Sequence, residues 1–171
     1  MDNIEKIKKL KEEKNAIILA HYYVDEEVQK IADYIGDSFY LAKVASQTEA
    51  DRIVFAGVEF MGESAKILNP NKKVLMPDAF ANCPMAHMIT IKEIKEMREK
   101  YDDLAVVCYI NSTAEIKQYA DVCVTSSNAV KIVKALPQKN IFFIPDQNLG
   151  DFVRKHVCPS CSADFCPTHL I

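Results

Sequence analysis

Three cysteines and a histidine fall within twelve residues near the C-terminal end, Cys158, Cys161, Cys166 and His169 in the run VCPSCSADFCPTHLI. Thiolates and imidazole are metal ligands, and the pattern C-x2-C-x4-C-x2-H could close a tetrahedral zinc site. The spacing fits neither of the common ferredoxin runs. A redox role for the C-x-x-C pair asks for a helix N-terminus behind it, and no helix is predicted there. Cys166 also has a distant counterpart. Cys83 lies in ANCPMA and Cys166 in DFCPTH, each after a Pro-Asp pair (Pro77–Asp78 and Pro145–Asp146) and each directly before a proline. A proline after a ligating cysteine turns the chain away from an iron–sulfur cluster. The remaining two cysteines, Cys108 in AVVCYI and Cys123 in DVCVTS, sit in apolar runs and read as buried small hydrophobes.

A second set of residues is polar and recurs at the ends of apolar runs: His21, Tyr23, Ser38, Tyr109, Asn111, Ser126 and Ser127. Hydroxyls, amides and the N–H groups that open a helix all bind anions. Each serine alone could be a helix cap. Together they suggest a site for a carboxylate- or phosphate-bearing small molecule.

The elements that must position these groups alternate. NAIILAHYY, DRIVFAGV, KKVLMPD, LAVVCYIN, DVCVTSS and NIFFIPD read as short strands. The segments between them carry helical periodicity, and DEEVQKIADYIG reads as one helix from an Asp25 cap to a Gly36 stop. Strands that are continuous apolar runs between helices predict βαβ units and parallel sheets. Ligands of such sheets bind at the C-terminal strand ends, where the polar set lies. The order also repeats. DRIVFAGVEFMGESAKILNPNKKVLMPD and DVCVTSSNAVKIVKALPQKNIFFIPD both run strand, helix, strand, Pro-Asp, with the two Pro-Asp pairs 68 residues apart. The expected architecture is therefore α/β, two repeated small αβα units over 1–90 and 91–171.

Composition narrows the partners. The chain has 171 residues, is 49% hydrophobic and 26% charged, and carries a formal charge of −3. That balance is globular. It does not favour nucleic acid, which selects a basic face. No run reaches the length of a membrane span. The charged start, MDNIEKIKKLKEEKN, is not a signal peptide. Cytoplasmic localisation is expected, where thiols stay reduced, so metal ligation or burial explains the six cysteines ahead of disulfides.

The segments ILAHYY, DSFYLA, VFAGVEFMGESAKILNPNKKVLMPD, NCPMA, CYINSTAEIK, CVTSSNAV, FIPDQNLG and FCPTH, in this order, resemble quinolinate synthase, the iron–sulfur enzyme of NAD biosynthesis. The resemblance implies a pseudo-threefold architecture in which each of three αβα domains gives one cysteine to a 4Fe–4S cluster. It covers the first two domains. The third unit, with its cysteine and a catalytic glutamate, is expected to be missing, and the chain alone to be weakly active or inactive. By motif, Cys83 and Cys166 would ligate the cluster, although Asp164 stands where the family's second cysteine motif has glycine. His21, Ser38, Tyr109, Ile110, Asn111 and Ser126 match substrate-binding positions. Tyr23, Tyr109 and His21 are the candidates for proton transfer. The implied reaction condenses iminosuccinate with dihydroxyacetone phosphate to quinolinate, phosphate and water at an open iron of the cluster. An aspartate-oxidising enzyme would supply the iminosuccinate.

Two other readings use the same residues differently. A non-catalytic two-domain remnant would hold structural zinc at Cys158, Cys161, Cys166 and His169, and would not need Cys83. An α/β protein binding an anionic metabolite would leave all six cysteines structural.

Overall fold

A computed structural model describes residues 2–158 and 169–170. The chain divides into two compact units, Met1–Cys83 and Pro84–Ile171.

The first unit opens with α1 (Asn3–Glu13), started by a capping box in which Asp2 and Glu5 satisfy each other's backbone amides. Asn15, at φ 45°, then turns the chain in the left-handed region that asparagine tolerates. The strands are β1 (Ala16–His21), β2 (Tyr34–Gly36), β3 (Arg52–Ala56) and β4 (Lys73–Leu75), and the intervening helices are α2 (Glu26–Ile31), α3 (Ser38–Gln47) and α4 (Glu59–Leu68). All pairings are parallel, in the order β2-β1-β3-β4. The inner strands are the apolar ones: Ile17 to Ala20 of β1 and Ile53, Phe55 and Ala56 of β3 are buried. Strands covered on both faces must be apolar on both.

The second unit repeats this plan. α5 (Ile91–Lys100) starts on a capping box of Thr90 and Glu93. β5 (Leu104–Tyr109), α6 (Ala114–Lys117), β6 (Val122–Val124), α7 (Ala129–Ala135), β7 (Asn140–Ile144), α8 (Gln147–Val157) and β8 (His169–Leu170) follow. The sheet is again parallel, in the order β6-β5-β7-β8. One face packs Ala105, Val107, Val124, Ala129, Val133, Ile141, Phe143 and Val153; the other packs Ile94, Leu104, Val106, Cys108, Ile116 and Ile144.

The α/β class with repeated αβα units and parallel sheets is borne out, with three corrections of detail. The repeat has an offset of 88 residues, not 68. Asp2 and Thr90, His21 and Tyr109, Gly36 and Val124, Phe55 and Phe143, and Glu59 and Gln147 occupy equivalent places. Pro77–Asp78 follows the edge strand β4, whereas Pro145–Asp146 follows β7, whose counterpart is β3. Second, DYIG is not the end of a helix. The helix stops at Ala32 because Asp33 joins the sheet: its amide donates to Ile18 O (2.8 Å) and its carboxylate accepts from Ile18 N (2.8 Å). Third, Cys123 is exposed, since β6 is a three-residue edge strand, while Cys108 is buried as expected.

No helix among the described residues is long and apolar enough to cross a membrane.

Candidate functional site

In each unit the register brings the polar set to one place. His21 ends β1 and is the partner of Gly36 on β2, and Ser38 lies two residues further on. Tyr109 ends β5 and is the partner of Val124 on β6, and Ser126 lies two residues further on. The chain after each central strand is tied down identically. Tyr22 N donates to Gly36 O (3.3 Å) and Ile110 N donates to Val124 O (2.8 Å). Both sets therefore sit at the C-terminal edge of a parallel sheet, where open α/β folds bind ligands.

In the first unit His21 is half-buried and Tyr23 stands 91% exposed. The two rings meet edge to face, with centroids 4.6 Å apart. Tyr23 N donates to His21 Nδ1 (3.4 Å), so the neutral ring carries its proton on Nε2. Gln29 fixes this turn by donating from Nε2 to Tyr22 O (3.0 Å) and Val24 O (2.8 Å). Ser38 is the first residue of α3 and half-buried. Its neighbour Asp37 supplies the cap, accepting from Tyr40 N (2.8 Å).

Burial pushes the His21 pKa below the ordinary histidine value, and the Asp37 carboxylate opposes part of that shift. The neutral ring dominates at neutral pH. Asp37→Asn keeps the helix cap, since asparagine caps as well as aspartate, but removes the charge. The His21 titration midpoint, followed by NMR, is expected below 6.5 in the parent and lower still in Asp37→Asn. A midpoint that rises in the variant refutes this account. The stability contribution has a matching sign. With the folded pKa lowered, the unfolded chain takes up the proton first, so this contribution is complete above the unfolded pKa and falls as the pH drops through the window between the two values.

In the second unit Tyr109 and Asn111 are half-buried, and Asn111 Nδ2 donates to Tyr109 Oη (3.1 Å). Ile110 spends its amide on β6. Ser126 is exposed in the turn before α7. Thr125 N donates to Asn128 Oδ1 (2.7 Å), and the Thr125 and Ser127 hydroxyls lie 2.9 Å apart. Ser127 is thus engaged in the turn itself.

Cys83 is a free thiol, half-buried, in the loop after β4 and just before the short 3-10 turn Pro84–His87. Cys161 and Cys166 lie outside the described residues, so the zinc reading falls largely outside them. Cys158 ends α8 and is disulfide-bonded, against the expectation of reduced thiols, and a disulfide sulfur is no zinc thiolate. Among the described residues no group of three or more histidine, cysteine or acidic side chains could hold a metal ion.

Two residues missed by the sequence reading clamp the middle of each central strand. Asp33 accepts from Ile18 N and from Lys11 Nζ (2.6 Å). Its equivalent Asp121 accepts from Val106 N (2.7 Å) and from Arg98 (2.9 Å). Each carboxylate links the first helix, the edge strand and the central strand of its unit. An aspartate at the same offset in both copies is the signal that could have found them.

The comparisons with known proteins agree with one another. The family model for quinolinate synthetase A protein matches residues 5–170. A quinolinate synthase of Fusobacterium nucleatum is 70% identical over 153 residues, covering 90% of this chain and 51% of its own length. Those of Pyrococcus abyssi (57% identical, 91% of this chain, 52% of the relative) and Aquifex aeolicus (55%, 97% and 52%) align similarly. The chain spans about half the length of these curated relatives. With a match that runs through both αβα units, and through the strand ends that carry the polar set, the chain belongs to the quinolinate synthase family.

Proposed function

We propose that this chain provides two strand-end substrate sites of a quinolinate synthase, which condenses iminosuccinate with dihydroxyacetone phosphate to quinolinate, phosphate and water. The observation that carries this reading is the family match across residues 5–170. The chemistry of the strand ends supports it. Iminosuccinate has two carboxylates, and the hydroxyls of Ser38 and Ser126, the Asn111 amide and the His21 Nε2–H are donors for them. A neutral His21 can also give or take a proton near physiological pH. Tyr23, edge to face with His21, and Tyr109, hydrogen-bonded to Asn111, are the phenols for proton transfer at the ketone and enol oxygens. Cytoplasmic localisation and an aspartate-oxidising supplier of the unstable imine belong to the same proposal.

The family's 4Fe–4S cluster would act as a Lewis acid through an iron without a protein ligand. Cys83 has the chemistry of one ligand: a free thiol in a loop beyond a strand end. Cys166 is the second by motif and lies outside the described residues. One described thiolate does not hold four irons, so the described donor set is incomplete and no step is derived through the cluster.

The test is quinolinate formation under anaerobic conditions after reconstitution with iron and sulfide. The substitutions His21→Ala, Asn111→Ala and Cys83→Ala are made in this chain and at the matching positions of the F. nucleatum relative. In the relative, His21→Ala and Asn111→Ala are expected to lower turnover by about 100-fold with iron content unchanged, and Cys83→Ala to lower iron content and activity together. In this chain, Cys83→Ala is expected to lower bound iron. Undiminished turnover in the His21 variant would reject its role, and full iron in the Cys83 variant would reject the cluster assignment.

A further inference from the structure

Cys108 and Cys123 are register partners on the neighbouring parallel strands β5 and β6. Partners in register point to the same face of a sheet. The packing agrees. Val122 and Val124, on either side of Cys123, face one core cluster, and Cys108 belongs to the cluster on the opposite face. Alternation along β6 then turns Cys123 to the Cys108 side. Adjacent strands lie about 4.8 Å apart, within the roughly 4.4–6.8 Å over which a disulfide joins two Cα atoms.

The two thiols differ in access and in acidity. Cys108 is fully buried, and its thiol donates to Tyr109 O (3.4 Å). Cys123 is exposed on the sheet edge. The neighbouring Cys108 thiol draws the Cys123 pKa down to about 7 against the effect of partial burial, and the Lys117 cation helps. The same pairing, with burial, pushes the Cys108 thiol up. Cys123 is thus the nucleophile of the pair and Cys108 the proton holder. The strand-end chemistry uses neither.

We propose that Cys123 is a thiol-modification site for low-molecular-weight disulfides, and that Cys108 is the internal thiol that resolves the adduct. The Cys123 thiolate attacks one sulfur of the reagent. The reagent's S–S bond breaks, a mixed disulfide forms on Cys123, and one thiolate leaves to take up a proton. Cys108 then attacks Cys123 Sγ, and its proton passes to the second reagent thiolate as that leaves. One disulfide reagent and two cysteine thiols become one Cys108–Cys123 bridge and two reagent thiols. Facing Cβ atoms on paired strands lie about 4.5–5.5 Å apart, at or beyond the roughly 3.5–4.5 Å of a relaxed disulfide, which makes such a bridge strained and easily reduced again.

The test uses the full chain, reduced and anaerobic at neutral pH. One arm takes limiting iodoacetamide and the other oxidised glutathione, both read by peptide mass spectrometry. Cys123 is expected to alkylate at least about tenfold faster than Cys108. Oxidised glutathione should give the bridged Cys108–Cys123 peptides, with the Cys123 mixed disulfide rising and decaying first. Cys108→Ala should stop at glutathionylated Cys123, and Cys123→Ser should leave Cys108 unmodified. The parent time course carries the same information if Cys108→Ala does not fold. Equal labelling of the two cysteines, or a mixed disulfide on Cys123 that persists in the parent without a bridge, overturns the proposal.

Discussion

Replacing Phe143 with alanine is expected to cost the second unit about 3–5 kcal/mol. The ring lies on β7, an inner strand, beside its register partner Val107, and packs among Val124, Ala129, Val133, Ile141 and Val153. It is also the floor on which α8 rests. A Cβ built on Gly150 would come within 3.3 Å of the Phe143 ring, a contact tight enough that ring or helix would have to give by a few tenths of an ångström. Truncating the ring removes apolar burial and leaves a cavity that a helix already at contact distance cannot fill by a small shift. Domains of this size are stable by roughly 5–15 kcal/mol, so the loss takes a large part of the total. Hydrogen exchange read along β5 and β7, together with urea denaturation, measures it. The equivalent Phe55, fully buried on β3 beside Leu19, should respond alike when changed to alanine, with the loss of protection in β1 and β3. A loss under about 1 kcal/mol at Phe143 would show that the sheet repacks around the gap.

The second large effect is expected at the aspartates. Asp121→Ala strips the acceptor from Val106 N in the middle of a strand buried at every position but its last, and leaves Arg98 without its carboxylate. A buried donor without a partner costs about 1–3 kcal/mol. Asp121→Asn keeps an oxygen for the amide and should cost less. Asp33→Ala should behave in the same way through Ile18 N and Lys11. Denaturation midpoints of the four single variants, Asn and Ala at each position, check the order. If alanine and asparagine prove equal at both sites, the carboxylate is not supporting the strand amide.

Much of this was legible because inner strands of a parallel sheet advertise themselves. β1, β3, β5 and β7 must be apolar on both faces, and each is a short apolar run. The edge strands give no such signal. β2 is three residues with only Gly36 buried, so Tyr34 and Ile35 fit a helical pattern equally well. The same weakness hid the exposure of Cys123 on β6. The repeat was visible but was hung on the wrong landmark. A Pro-Asp pair reflects local needs, a strand end followed by a cap such as Asp146 accepting from Leu149 N, and says little about position in a sheet. At the candidate site, His21, Tyr109 and the serines were legible from the rule that strand C-termini carry ligands. Asp33 and Asp121 were not, because their partners are backbone amides, which leave no motif in a sequence.

The constant offset of 88 residues has a chemical consequence at the strand ends. The two units share strand register and their clamping aspartates, while the terminal residue of the central strand differs. One copy ends in an imidazole, the other in a phenol. The two strand ends match in backbone and register but differ in the chemistry they present.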